Sequence, residues 1–139
     1  MACPFCEYVL SKKEKMIQEG KNVFVILSDP RLMPGHLLVI PKRHVVKLSE
    51  LNFEERKEFF DTIIEFQEKV VEKFSTGCDL RQNYRPFLKE GKLKVDHVHM
   101  HLLPREFEDE YYEKCQFSEK DIFKDLSDGE RKKFSKLFN

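Results

Sequence analysis

His97-Val98-His99-Met100-His101-Leu102-Leu103 is the stretch that decides how this chain is read. Three histidines alternate with apolar residues, and two more apolar residues follow. A strand sends alternate side chains to opposite faces. One face would therefore carry three imidazoles while the other enters the core. The chain has five histidines in 139 residues, so packing alone does not explain three on one face. Imidazole suits proton transfer, metal ligation and nucleophilic attack near neutral pH. The same alternation also suits a plain metal clamp, and the pattern alone leaves both readings open.

Outward from this stretch, residues 94–103 read as one strand stopped by Pro104. Residues 85–93 contain Pro86 and Gly91 and read as a loop, and residues 78–84 as another strand. Asn52 opens one long helix, with Glu55 three residues on in the spacing of a capping box. Phe59, Phe60, Ile63, Ile64, Val70, Val71 and Phe74 form an apolar stripe expected to face the core, with Phe66 near its edge and Gly77 as the stop. The β-branched and aromatic run 23–27 and the run 36–41, ended by Pro41, read as two paired strands with a long connection. A short strand is expected within residues 15–19. Cys3-Pro4-Phe5-Cys6 leads into a helical turn. Near the end, Ser118 with Asp121 and Ser127 with Glu130 are capping signals, and Phe134, Leu137 and Phe138 suggest a final amphipathic helix. This order implies an α+β fold: a mainly antiparallel, five-stranded sheet, one long helix and C-terminal helices.

Hydrophobic residues make up 40% of the chain and charged residues 36%, and thirteen phenylalanines supply much of the expected core. That fits a single domain over residues 1–139. Lys plus Arg and Asp plus Glu number 25 each, a formal net charge of zero. There is thus no global electrostatic case for binding nucleic acid or a membrane surface. No apolar run is long enough to span a membrane, and no signal peptide is visible. Four cysteines in that context point to a reduced, cytoplasmic protein, in which Cys3 and Cys6 are better read as metal ligands than as a disulfide. A closed zinc site needs four ligands; His44 and one histidine of the trio are the candidates to complete it. Cys78 and Cys115 read as small core residues or free thiols.

The triad stretch resembles the signature of the histidine triad (HIT) superfamily. Pro34-Gly35-His36-Leu37-Leu38-Val39-Ile40-Pro41-Lys42-Arg43-His44 is similar to the family's second block, which precedes the long helix as it does here. Cys3-Pro4-Phe5-Cys6 is similar to the zinc-binding pair of many bacterial members. The resemblance covers about residues 3–105 and leaves 106–139 as a C-terminal extension.

The resemblance implies cleavage at the α-phosphate of a small-molecule nucleotidyl substrate, such as a dinucleoside polyphosphate or a related adenylylated compound. His99 would be the nucleophile that forms a nucleotidyl-histidine, and His101 and His36 would be active-site partners. It also implies one structural Zn2+ per chain on Cys3, Cys6, His44 and His97, and a homodimer with the two sheets joined across a two-fold axis. A phosphoramidase and a dinucleoside polyphosphate phosphorylase are alternatives within the family. A nucleotide-binding regulatory protein with weak turnover is the alternative outside it, and retention of His99 favours the enzyme.

Some positions depart from the family pattern. Asn83 stands at the usual substrate-contacting asparagine, but a longer loop follows it. Leu93 replaces a glutamine, and Lys94 stands where a hydroxyl often contacts phosphate. Lys94 either supplies a charge-assisted bond to that phosphate or points to solvent. Arg85, Lys89 and Lys92 read either as a basic lip for a polyphosphate or as a solvated charge run. Ser28 or Asp29 stands at the ribose-binding position. Phe24 and Ile26, or their neighbours on the other strand face, would flank the base.

Overall fold

The computed structural model describes residues 3–139, which fall into two compact units divided at Phe107 and Glu108. The first unit contains helix α1 (Pro4–Ser11), strands β1 (Gln18–Glu19), β2 (Val23–Leu27) and β3 (Leu37–Pro41), helix α2 (Phe53–Lys73), and strands β4 (Gly77–Arg81) and β5 (Met100–Arg105). The sheet has the order β1-β2-β3-β5-β4, and all four pairings are antiparallel. The architecture is the α+β one expected from the sequence.

Both faces of the sheet are covered, and this is why β2 and β3 are almost continuously apolar. Val23, Val25, Leu37, Val39, Met100 and Leu102 pack with Phe59, Ile63, Phe66 and Val70 of α2. Phe24, Ile26, Leu38 and Ile40 on the opposite face pack with Phe5 of α1. Neither face of β2 is therefore free to act as an open base platform; Leu27 at its end is exposed.

Asn52 caps α2 as expected. Its side chain accepts the Glu55 N–H at 2.9 Å, and Glu55 accepts the Asn52 N–H at 2.9 Å. The stripe on this helix differs from the expected one. Phe59, Ile63, Phe66 and Val70 are buried, whereas Phe60, Ile64, Val71 and Phe74 are 45–61% exposed. Apolar residues at three- and four-residue spacing mark an apolar helix surface, but a sheet on one side buries only part of its width. Gly77 does not stop this helix. The helix ends at Lys73 with Phe74 as its cap, and Gly77 already pairs with Arg105 in β4.

The histidine strand also begins later than expected, at Met100 rather than at residue 94. Pro41 has no N–H with which to extend the β3–β5 ladder. Beyond it the Val98 N–H turns to the Val45 carbonyl at 2.7 Å. Pro104 does not end β5, because it pairs with Cys78 of β4 inside the strand.

The second unit, Glu108–Asn139, holds a π-turn at Tyr112–Gln116, a 3-10 turn at Phe117–Asp121 and helix α3 (Asp128–Phe138). Ser127 caps α3 by accepting the Glu130 N–H at 3.1 Å. Ser118 and Asp121 lie inside the 3-10 turn and cap nothing. Among the described residues, no helix is long and apolar enough to cross a membrane.

Candidate active site

The three histidines of the opening stretch divide between two clusters. His97 belongs to the first, and its orientation follows from where β3 ends. The Pro41 carbonyl accepts the His97 Nε2–H at 2.7 Å. That bond fixes the tautomer and leaves His97 Nδ1 as a lone pair. His97 Nδ1 lies 3.4 Å from Cys3 Sγ, 3.7 Å from Cys6 Sγ and 3.2 Å from His44 Nδ1. Cys6 Sγ lies 3.5 Å from His44 Nδ1. The four ligand atoms are all within 4.8 Å of one another and can hold a metal ion. Three different parts of the chain supply them: the start of α1, the turn after β3 and the approach to β5. The turn is itself braced, because Arg43 beside His44 makes a two-pronged contact with the buried Glu55 at 3.0 and 2.9 Å and bonds the Glu50 carbonyl at 2.7 Å. Without a cation, burial and the neighbouring Cys3 sulfur push the Cys6 thiol up to about 11. A bound cation would reverse that by favouring the thiolate.

The second cluster is built from His99, His101 and His36. His99 donates its Nδ1–H to the carbonyl of His97 at 2.6 Å. Its Nε2 therefore carries a lone pair, and burial lowers the tendency of the ring to take a second proton. Just before β3, the Leu32 N–H occupies His36 Nδ1 at 3.0 Å, so the proton of neutral His36 is on Nε2. That nitrogen donates to His101 Nδ1 at 2.9 Å, which puts the His101 proton on Nε2. A chain of donors thus runs from a backbone amide through His36 to His101. Both rings are held neutral. Burial and the Arg81 charge bring His36 down to about 4; burial and the charges of His99, His36, Arg81 and Arg85 bring His101 down to about 3.

Arg81 was not evident as a site residue from the sequence. It pairs with His101 across β4–β5, which sets both side chains on one face. Only the strand register reveals this, since the two residues are far apart in the chain. Nor does the sequence single out Phe5, whose ring packs against His99.

The other expected contacts are distributed as follows. A cavity of about 320 Å³ opens beside His99 and is lined by Asn83, Tyr84, Arg85 and Lys89. Lys94 also lines it, but its ammonium is engaged within the loop, with the Leu88 carbonyl at 2.7 Å and Asp96 at 2.5 Å. The Ser28 N–H donates to the His36 carbonyl at 2.9 Å, and the Ser28 hydroxyl donates to the Pro30 carbonyl at 2.9 Å. Asp29 follows it and is exposed. A lone-pair nitrogen on His99, a neutral N–H donor on His101 and the Arg81 guanidinium on the face of His101 make an arrangement that could attack an anionic centre.

Comparison with known proteins places the chain in a family. The HIT domain family matches residues 10–108. The chain is 33% identical over 91 residues to the asymmetrical bis(5'-nucleosyl)-tetraphosphatase of Schizosaccharomyces pombe, a match covering 66% of this chain and 45% of that protein. It is 29% identical over 109 residues to an adenosine 5'-monophosphoramidase of the same yeast, covering 76% of this chain and 75% of that protein. The crystal structure of a HIT family member from Bacillus subtilis superposes with a TM-score of 0.66 at 24% identity, over 91% of this chain and 99% of that one, and shows the shared fold.

Proposed function

The chain belongs to the HIT domain family, and from that premise we propose that it is a nucleotide hydrolase or transferase that cleaves at an α-phosphate through a nucleotidyl-histidine on His99. One observation carries this reading: His99 gives its Nδ1 proton to the His97 carbonyl at 2.6 Å and so presents Nε2 as the nucleophile. In the first step Nε2 bonds to the α-phosphorus and the bond to the leaving group breaks, with the electron pair departing on the leaving group. His101 Nε2–H, oriented by His36, donates to a phosphoryl oxygen as charge builds. Arg81 adds a fixed positive charge on the same face. In the second step water attacks phosphorus, the P–N bond breaks and the nucleoside monophosphate leaves.

The relatives act on two kinds of leaving group, a nucleoside polyphosphate and an amine, according to their names. The lining of the cavity beside His99 by Arg85 and Lys89 favours a polyphosphate leaving group here. Asn83 would contact the phosphates from that cavity, and Ser28 or Asp29 the ribose. Lys94 acts there through the loop it braces.

For the metal cluster we infer one structural Zn2+ on Cys3, Cys6, His44 and His97. Tetrahedral zinc with bonds of about 2.3 Å to sulfur and 2.0–2.1 Å to nitrogen has S···N edges of about 3.5 Å and N···N edges of about 3.3 Å. The separations of 3.4, 3.5 and 3.7 Å for S···N and 3.2 Å for N···N fit that figure. Its role is to tie α1 to the approach to β5.

A homodimer completes the proposal. The exposed Phe60, Ile64 and Val71 lie on the outer surface of α2, which packs on β4, the last strand of the sheet. An apolar helix face beside a terminal strand is suited to a two-fold contact.

Incubation with diadenosine tetraphosphate, beside a His99→Ala control, tests the activity. Release of AMP that is lost in the variant is the expected result. Turnover retained by the variant would remove His99 as the nucleophile.

A further inference from the structure

Phe5 lies between the two thiols of the metal cluster, yet its ring faces the other cluster. Its centroid is 5.0 Å from that of His99 at an interplanar angle of 67°, and 5.8 Å from that of His97 at 86°. Both are edge-to-face contacts. The ring is buried and backed by Phe24, Ile26, Leu38 and Ile40, so it has little room to move. On another side of His99, the ring of His101 sits at 4.9 Å and 69°.

We propose that Phe5 is a positioning residue for the His99 nucleophile and that it links the metal-bearing turn to the reacting nitrogen. The proposal rests on the reading of His99 as the nucleophile. The Cβ–Cγ bond and the hydrogen bond at Nδ1 hold one edge of the imidazole and leave the ring free to swing about that edge. Packing between Phe5 and His101 removes the swing and fixes the direction of Nε2. A misplacement of about 1 Å at a reacting atom can cost about a hundredfold in rate. Phe5 is itself placed by Cys3 and Cys6, two residues before it and one after. A cation holding those sulfurs would therefore hold the ring as well. The backbone gives a second link, since His97 offers its side chain to the metal cluster and its carbonyl to His99.

The test compares metal-loaded wild type with Phe5→Ala and Phe5→Leu. Metal content, thermal melting, kcat and KM on diadenosine tetraphosphate, and histidine ring ¹⁵N NMR are measured for each. Phe5→Ala is expected to keep its metal and a cooperative melt, to hold KM within about twofold, and to lose about 10- to 100-fold in kcat. Phe5→Leu, which keeps most of the bulk, is expected to fall between, and it decides the matter should Phe5→Ala not fold. The His99 signals are expected to change from a single Nδ1–H tautomer to a mixture in Phe5→Ala. A raised KM with unchanged kcat would overturn the proposal and make Phe5 a wall of the binding site. Loss of metal in proportion to activity would overturn it in favour of a purely structural role. If wild type itself shows no turnover, the nucleophile reading fails, while the NMR comparison still decides whether Phe5 orients His99.

Discussion

His36 Nε2 stands 2.9 Å from His101 Nδ1, and the proton between them belongs to His36 because the Leu32 amide already fills His36 Nδ1. A backbone N–H thus sets which nitrogen of His101 faces outward as a donor, two side chains away. The consequence is a division of labour among the histidines: His99 offers a lone pair and His101 offers a proton.

Removing the middle member of that chain should damage the step and spare the binding. His36→Ala is expected to lower kcat by about 10- to 100-fold, the range of a lost donor or general acid-base partner. KM should change little. Steady-state AMP release measures both, and His99→Ala sets the floor.

Acid should destabilise the protein through the same buried rings. His36 is held at about 4 by burial and by Arg81, against an ordinary value near 6.5. Its folded pKa is depressed, so its contribution is full above about pH 6.5 and is lost as pH falls from there towards about 4, where the unfolded chain is protonated and the folded one is not. The slope is about 1.4 kcal/mol per pH unit for one such group. Urea denaturation of wild type and His36→Gln at pH 7.5 and 5 should show a smaller acid loss in the variant.

Metal removal should cost stability and the order of the N-terminal turn. Wild type is expected to carry about one zinc per chain by elemental analysis. Cys3→Ser with Cys6→Ser should carry none and melt about 10 °C lower, the size expected when a metal site contributing a few kcal/mol is lost. An unchanged melting temperature would remove the structural role.

Placing a charge on the outer face of α2 should separate the subunits and leave each folded. Ile64 is 55% exposed, so Ile64→Glu introduces no buried charge in the single chain. Light scattering should read a dimer for wild type and a monomer for the variant, with similar far-ultraviolet circular dichroism.

Lys94 offers a test of the loop. Lys94→Ala removes the bonds to Leu88 and Asp96. It should speed proteolytic cutting within residues 85–93 and raise KM several-fold, with a smaller effect on kcat. Limited proteolysis and steady-state kinetics read the two parts separately.

Features legible in the sequence were those fixed by near neighbours. The Asn52–Glu55 box is a contact over three residues and formed as written. The apolar runs of β2 and β3 needed only the local chain, whereas of the three alternating histidines only His101 lies within a strand. Other features depended on distant partners. The start of β5 is set by Pro41, more than fifty residues earlier. Which apolar residues of α2 are buried is set by where the sheet lies beneath it. Arg81 joins the site through its register with His101, and the polarity of the His36–His101 bond comes from a loop amide that no side-chain pattern records. The four ligand positions of the metal cluster were named through family likeness; the sequence itself offered only the two cysteines and a choice of histidines.

Cys3 and His97 are 94 positions apart in the chain and 3.4 Å apart in space at their ligand atoms. A cation bridging them closes a covalent-like ring through most of the first unit. Because the four ligands meet only in the folded chain, the free energy of binding a cation there would add directly to the free energy of folding. With a cation bound, a cysteine pair that reads locally as a small knuckle would act on the topology of the chain: it would staple the first helix to the approach to β5, and would do so without the oxidising conditions a disulfide needs.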